Sequence, residues 1–293
     1  MINVYIPTYK RQDVLAMNLA KDTNVHLNFC IRHDDIERFD GLLKTKYASF
    51  LKQGNVHIVD IGKDVIDLGD TRQRILDYCR HHDEQYCIML DDTVSDIYNL
   101  DRNKSISECL IECVEQMKEN QELNVMFALS TEQRKHHAQN IDSKYFLHCP
   151  AQGFIIDTFL AHKHNITFKP LSICGIEDMS FFIDTIKEGL LTCTNRQINM
   201  IVETTLKPKA GGTHVDSYSV EDKSDIYSTG LAKYAGEMYG VYFTKRYRHQ
   251  IGSQCCFAAF DYDYLQDVLI KYRDENKQII DSKFQIRKLE RTK

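Results

Sequence analysis

The sequence predicts an α/β fold: a mixed, mostly parallel sheet flanked by helices, with an irregular C-terminal extension. Three observations carry this expectation. Strand-like and helix-like segments alternate over the first 100 residues, the order that crossover connections require. The run Cys87–Leu90 is apolar without interruption, as befits a central strand covered on both faces. Ser105–Asn120 carries Ile106, Cys109, Leu110, Cys113 and Met117 at helical spacing, an amphipathic helix suited to cover such a sheet.

The elements follow in order. NVYIPTY (3–9) is rich in β-branched and aromatic residues and reads as a buried first strand turning into a loop at Pro7-Thr8. A helix is expected over Asp13–Lys21, with Asp13 as N-cap. HLNFCIR (26–32) is a second strand, 34–53 a helix of mixed face, and NVHIVDI (55–61) a third strand. Asp70 stands just before the helical stretch TRQRILDYCRHH, and YCIMLDD (86–92) is a fourth strand ending in two carboxylates. LNVMFALS (123–130) and QGFIIDTFLA (152–161) are further strands, the latter passing into a helix. ITFKP (166–170) reads as a short edge strand and GIEDMSFFIDTIKEGL (175–190) as a helix; from Leu191 the pattern is less regular, ending in a helical, basic tail. There is no internal repeat.

Composition narrows the class. In 293 residues, 43% hydrophobic and 27% charged residues make a usual globular mix, which argues against disorder and collagen-like repeats. No apolar run approaches the ~18 residues that span a bilayer. The opening MINVYIPTYKR lacks a signal-peptide core, so the expected location is the cytoplasm, the host's if the chain is viral. The ten cysteines read as reduced, mostly buried thiols, Cys255-Cys256 among them. Cys79, His81, His82 and Cys87 are candidate zinc ligands, but their spacing fits no closed zinc pattern. A net charge of −5 gives no global pull on nucleic acid, so such binding would need local patches.

Four constellations carry chemistry. Asp91 and Asp92 end an apolar strand, and ligands of open α/β sheets bind beyond such ends; paired carboxylates there suit a hard divalent cation that neutralises a diphosphate. The same pair could simply cap a turn. In GDTRQR (69–74), Arg72 lies in the first turns of a helix, where it could clamp a phosphate or pair with Asp70 or Asp77 on the surface. Glu177 and Asp178 open a helix, where carboxylates either compensate the macrodipole or take a proton from an attacking hydroxyl. KAGGTHVD (209–216) offers a glycine pair and His214, an imidazole able to complete a metal site or to serve only the core or surface.

In their order along the chain these pieces resemble the GT-A nucleotide-sugar glycosyltransferases. IPTYKR looks like the family's nucleotide-side opening. GDTRQRILDYCRHHDEQYCIMLDDT looks like its arginine helix and DxD-type strand end, and GIEDMSFFI like its Glu-Asp element near the acceptor. The resemblance covers roughly residues 2–215. Within the family, the short openings and the TRQ…LDD spacing look closest to bacteriophage-type and TET-associated enzymes that glycosylate hydroxymethylated DNA pyrimidines. It implies a GT-A-like, Rossmann-like core over 1–215 and a C-terminal extension over 216–293 packed on it, in contact with acceptor or DNA. It also implies a nucleoside-diphosphate sugar, UDP-linked, as donor.

Carried over by position, the resemblance implies Pro7, Thr8 and Arg11 near the nucleotide and Arg72 on the donor. Asp91 and Asp92 would face the diphosphate and its cation, Mn2+ or Mg2+, with His214 as a further ligand. Asp178 would be the base and Glu177 its neighbour. One departure is Thr93, where many relatives carry Asp: either cation affinity is lower or Asp92 does that work. For double-stranded DNA as acceptor, Lys245, Arg246 and Arg248 in KRYRH (245–249) mix cations with a stacking ring. The tail adds Lys283, Arg287, Lys288, Arg291 and Lys293 against Asp281 and Glu290. Both segments equally suit solvated faces. No membrane or protein partner is expected.

Two other classes compete. A sugar-phosphate nucleotidyltransferase would use a similar sheet, but such enzymes usually carry a glycine-rich loop after the first strand, and IPTYKR has no glycine. A non-catalytic nucleic-acid-binding module would explain Thr93 and sits poorly with the net charge.

Overall fold

The structure is a computed structural model that describes residues 1–119, 121–131, 152–171, 176–195, 197–202, 230–248, 253–260, 264, 267, 268, 270 and 271. Its centre is a seven-stranded sheet. Four strands, β1 (Ile2–Thr8), β2 (Val25–Ile31), β3 (Val56–Asp60) and β4 (Tyr86–Leu90), run parallel. With β6 (Asn124–Ala128), β8 (Gly153–Asp157) and β9 (Leu191–Cys193) the order across the sheet is β3-β2-β1-β4-β8-β6-β9. Only β8 runs against the others, pairing antiparallel with β4 and β6. The mixed, mostly parallel sheet is therefore present as expected.

Both faces of this sheet are buried, which is why its strands read as apolar runs rather than alternations. Val4, Ile6, Ile88 and Leu90 face one core layer, with Cys109, Leu110, Cys113 and Met117 of α4 (Ile106–Lys118). Tyr5, Cys87 and Met89 face the other, beneath Ile75, Leu76 and Cys79 of α3 (Leu68–His81). Cys30, Cys79, Cys87, Cys109, Cys113 and Cys193 are all buried free thiols. The start of α4 is fixed by a capping box in which Ser105 and Glu108 satisfy each other's backbone N–H.

Several expectations change. Asp13 caps nothing: the segment after it is a 3-10 helix, Leu15–Lys21, preceded by Val14, while Asp13 accepts from the Tyr47 hydroxyl and pairs with Lys46. The helix expected over 34–53 breaks into a 3-10 turn (His33–Asp35), α1 (Ile36–Lys46) and α2 (Ala48–Leu51). Tyr47 leaves helical geometry at the break, and its hydroxyl bonds Asp13 and the Val14 N–H. Residues 166–170 join no ladder. Ile166 and Phe168 are buried instead, and the Phe168 N–H donates to Gln73 Oε1 at 2.9 Å.

The strand expected over 123–130 splits into β6 and a short β7 (Ser130–Thr131), and further strands appear where none was anticipated. β5 (Val94–Asn99), β7 and β10 (Ile198–Val202) form a second sheet, and β11 (Val241–Arg248) pairs with β12 (Ser253–Phe260). Between β8 and β9 lie α5 (Thr158–Lys163) and α6 (Glu177–Lys187). Ahead of β11, α7 (Gly230–Tyr239) rests on α6: the Tyr239 hydroxyl donates to Asp184 at 3.1 Å and Lys187 to the Met238 carbonyl at 2.8 Å. The boundary expected at 215/216, the glycine pair at 211–212 and the basic tail lie outside the described residues. Among the described residues no helix is long and apolar enough to cross a membrane.

One close approach sets up the next layer. A Cβ on Gly69 would sit 1.9 Å from the Lys169 carbonyl oxygen, so only glycine lets the first turn of α3 lie against residues 166–170. Gly41, in α1, has open space around its missing Cβ. Gly69→Ala is expected to destabilise the fold by about 2 kcal/mol or more, whereas Gly41→Ala should stabilise it by about 0.5–1 kcal/mol. Urea unfolding of the two variants beside wild type checks these opposite signs.

Candidate active site

In the sheet order the chain steps outward from β1 to β2 and β3, then returns to the other side of β1 with β4. The carboxyl ends of β1 and β4 therefore flank the topological switch point, where open α/β sheets bind ligands. The register Val4↔Ile88 and Tyr5↔Met89, continued along the strands, sets Pro7 and Thr8 level with Asp91 and Asp92. Their side chains differ in role. Pro7 and Thr8 are buried at the strand end, and the Thr8 hydroxyl lies 3.5 Å from its own strand's Ile6 carbonyl.

The loops beyond these strands are held by their backbones. The Asp91 N–H donates to the Gln152 carbonyl at 2.8 Å, and the Asp92 carbonyl accepts from Ala16 at 3.2 Å. Lys10 adopts a left-handed conformation (φ 51°), and its N–H donates to buried Asp35 at 2.8 Å. Arg38 grips both Asp35 and the Arg11 carbonyl, the latter at 2.7 Å. Nearby, the Arg32 guanidinium lies 4.1 Å from the centre of the buried Tyr9 ring.

Arg72 is the centre of the site. Helix α3 starts earlier than the sequence implies, at Leu68 behind an Asp67 cap that accepts the Asp70 N–H. Asp70 pairs with Arg74 and Asp77 accepts from Gln73, which leaves neither on Arg72. The Arg72 side chain is only 3% exposed and bridges two acids from distant parts of the chain. One terminal nitrogen donates to Asp91 Oδ1 and the other to Glu177 Oε1, each at 3.0 Å. Its guanidinium carbon lies 5.1 and 5.9 Å from the ring centres of Phe154 and Phe168. Burial alone would lower its pKa, but Asp91, Glu177 and Asp178 together hold it above the ordinary arginine value. Among the described residues, Arg72 Nε and Glu177 Oε2 are buried without hydrogen-bond partners.

The second ion pair joins the two loops directly: Arg11 Nε donates to Asp92 Oδ2 at 2.9 Å, with the two side chains 15% and 8% exposed. Burial raises the Asp92 carboxyl to about 6, against the pull of Arg11. Asp178 is half-buried beside Glu177 at the start of α6, and its Oδ1 accepts the Met179 N–H at 2.7 Å. Burial, then the Glu177 charge, pushes its carboxyl up to about 7, with Arg72 and that N–H pulling the other way.

Arg11, Arg72, Asp91, Asp92, Glu177 and Asp178 thus form one connected group. His214 lies outside the described residues, and so does Gly175. Lys245, Arg246 and Arg248 lie on β11 in register with Cys256, Cys255 and Ser253 of β12. Among the described residues no cluster of three His, Cys, Asp or Glu side chains suits a metal ion. Phe154, Phe168, Asp35 and Arg38 support the site without having been singled out. The i,i+3 spacing of Asp35 and Arg38 is visible in the sequence, but no local pattern links Phe154 or Phe168 to Arg72.

The raised Asp178 carboxyl has a consequence for stability. Its folded pKa of about 7 lies above the ordinary 3.8, so the folded chain binds this proton more tightly than the unfolded one. The associated stability is complete below the unfolded value and is lost as pH rises through 7. Asp178→Asn is expected to be more stable than wild type at pH 8 by about 1–2 kcal/mol, discounted for partial exposure. The gap should shrink steadily towards pH 4 in urea melts.

No protein-family model matches the chain, and no curated protein matches it. Among solved structures, S. aureus TarS residues 1–349 in complex with UDP aligns with 13% identity over 69% of this chain and 60% of that one, at a TM-score of 0.40. UDP-glucose pyrophosphorylase complexed with UDP-glucose aligns with 9% identity over 74% and 97%, at 0.38. An apo UDP-glucose pyrophosphorylase aligns with 8% identity over 68% and 92%, at 0.39. The chain thus spans less than two thirds of the TarS fragment.

Proposed function

We propose that this chain transfers a sugar from a nucleoside-diphosphate sugar, UDP-linked, to a hydroxyl acceptor. The observation that carries the reading is the buried Arg72 bridge, which ties the acid behind β4 to the acid opening α6 at the switch point of the sheet. Sugar transfer needs two things close together: a group that stabilises the departing diphosphate and a carboxylate that takes the acceptor's proton. Arg72, Asp91 and Asp92 serve the first need. Asp178, held near 7, serves the second, because a base works best with a pKa close to the working pH.

The charge balance bears on the cation. Asp91, Asp92, Glu177 and Asp178 oppose Arg11 and Arg72, so a diphosphate arriving alone would meet an excess of negative charge. A Mn2+ or Mg2+ ion would cancel that excess, and two carboxylates plus substrate phosphates are its usual oxygen ligands. Asp91 and Asp92 would hold it, with one oxygen of each on an arginine; His214 is proposed as a further ligand. The cation would supply charge neutralisation of the leaving group.

The acceptor proposed is a hydroxymethylated pyrimidine in double-stranded DNA, with Lys245, Arg246 and Arg248 as phosphate contacts. The base would have to leave the stack to meet a donor. The core over 1–215, the extension over 216–293 and a cytoplasmic location belong to the same proposal.

Nucleoside-diphosphate release tests it. Donors are offered with free sugars, protein, plain DNA and hydroxymethylated DNA, with and without manganese. Release is expected only with donor and hydroxyl acceptor together, rising with pH through about 7 as Asp178 ionises. Asp91→Asn or Asp92→Asn should lower turnover at least ~100-fold with the fold intact. Pyrophosphate release from a nucleoside triphosphate and a sugar phosphate would replace the proposal with nucleotidyl transfer. DNA retention without any turnover would replace it with a binding module.

A further inference from the structure

The chain that leaves β1 is tied to both ends of α1. At the near end, Asp35 is 3% exposed, and its Oδ2 accepts the Lys10 N–H at 2.8 Å. Arg38, in the first turn of α1, donates from Nε and one terminal nitrogen to the two Asp35 oxygens. Its other terminal nitrogen donates to the Arg11 carbonyl at 2.7 Å. At the far end, the Tyr47 hydroxyl accepts the Val14 N–H at 3.0 Å and donates to Asp13, which also pairs with Lys46 at 2.9 Å. The ties at Lys10, Arg11 and Val14 are to main chain, so they fix the path of the loop itself.

Lys10 has a φ of 51°, in the left-handed region that a residue with a Cβ disfavours. Lysine has neither the bare Cα of glycine nor the short polar side chain with which Asn and Asp tolerate that region. The conformation is therefore held from outside, and the bonds to the Lys10 N–H and to the next carbonyl hold it on either side. Rotation at this φ redirects all the chain that follows, and in the turn observed Arg11 reaches Asp92 of the loop after β4 at 2.9 Å. An arginine suits the clamp because its planar fork can meet a carboxylate on one edge and a carbonyl on another, whereas a lysine ammonium is a point charge.

We infer that Arg38 is a positioning residue for the donor: through Asp35 and the Arg11 carbonyl it holds Lys10 in its left-handed turn, the conformation in which the loop after β1 receives the nucleotide. This rests on the proposed donor site and adds to it a residue that acts through its neighbours' backbone. A clamp that orders a loop in advance raises affinity by removing the cost of ordering it on binding.

The test reads UDP binding by isothermal titration calorimetry with Mn2+ present, in wild type, Lys10→Gly, Lys10→Val, Arg38→Lys, Arg38→Lys/Lys10→Gly and Lys44→Gln, with urea melts to show that each is folded. Lys10→Gly and Lys10→Val lose the same ammonium and differ in their tolerance of positive φ, so Lys10→Val should bind UDP at least ~10-fold more weakly than Lys10→Gly. Arg38→Lys keeps a cation beside Asp35 without the fork that also clasps the Arg11 carbonyl, and should bind about 10-fold more weakly than wild type. With the Lys10→Gly change already made, the same Arg38→Lys change should cost less than ~3-fold, a non-additivity that a merely structural loss would not produce. Lys44→Gln, which removes a cation paired with Asp40 on the same helix, should match wild type. Equal UDP affinity in folded Lys10→Gly and Lys10→Val, wild-type affinity in Arg38→Lys, or additive losses in the double variant overturns the inference. Failure of wild type to bind UDP at all would instead overturn the donor reading, which separates the two.

Discussion

A single guanidinium with no room to move is the constraint on which the site depends. Arg72 is buried, and a buried charge is tolerable only when partners surround it. It has those partners in Asp91 and Glu177, 19 and 105 residues away along the chain. That requirement ties together the end of β4, the first turns of α3 and the start of α6, elements that also share one hydrophobic cluster. Burial at this junction, and after it the neighbouring Glu177 charge, also lifts Asp178.

The scaffold is arranged to make this possible. The strand order brings the ends of β1 and β4 side by side, and Gly69 lets α3 descend onto the segment that carries Phe168. On the other strand, Gly153 stands opposite Leu90, where a Cβ would fall 2.4 Å from the Met200 sulfur. Small residues at those two positions therefore control how closely the layers around Arg72 approach. Stability and chemistry share the same contacts here, because the acids that compensate Arg72 are those proposed to meet substrate.

Much of the frame is legible in the sequence because it rests on short-range pattern. The apolar run Cys87–Leu90 announces a strand buried on both faces, and the two acids that end it mark the crevice side. The heptad-like spacing in α4 and its Ser105–Glu108 box are equally local. What escapes is whatever depends on long-range pairing. Asp70 and Asp77 look like natural partners of Arg72 by spacing, yet Arg74 and Gln73 take them and Arg72 turns inward. ITFKP has the composition of an edge strand, but Phe168 is drawn into the core beside Phe181, with ring centres 4.5 Å apart, and its N–H is bonded by a glutamine side chain. Asp13 has the type of an N-cap and is instead claimed by a tyrosine 34 residues on. In each case a tertiary contact outweighs a local preference worth about 1 kcal/mol.

The most direct test of the account is a crystal structure of the protein soaked with UDP and manganese. The account predicts diphosphate oxygens over the loops after β1 and β4, within hydrogen-bond reach of Arg72 or of a cation on Asp91 and Asp92, with the Arg72–Glu177 contact kept. UDP bound elsewhere on the molecule, or bound at the sheet end with Arg72 and both acids out of reach of its phosphates, would contradict it.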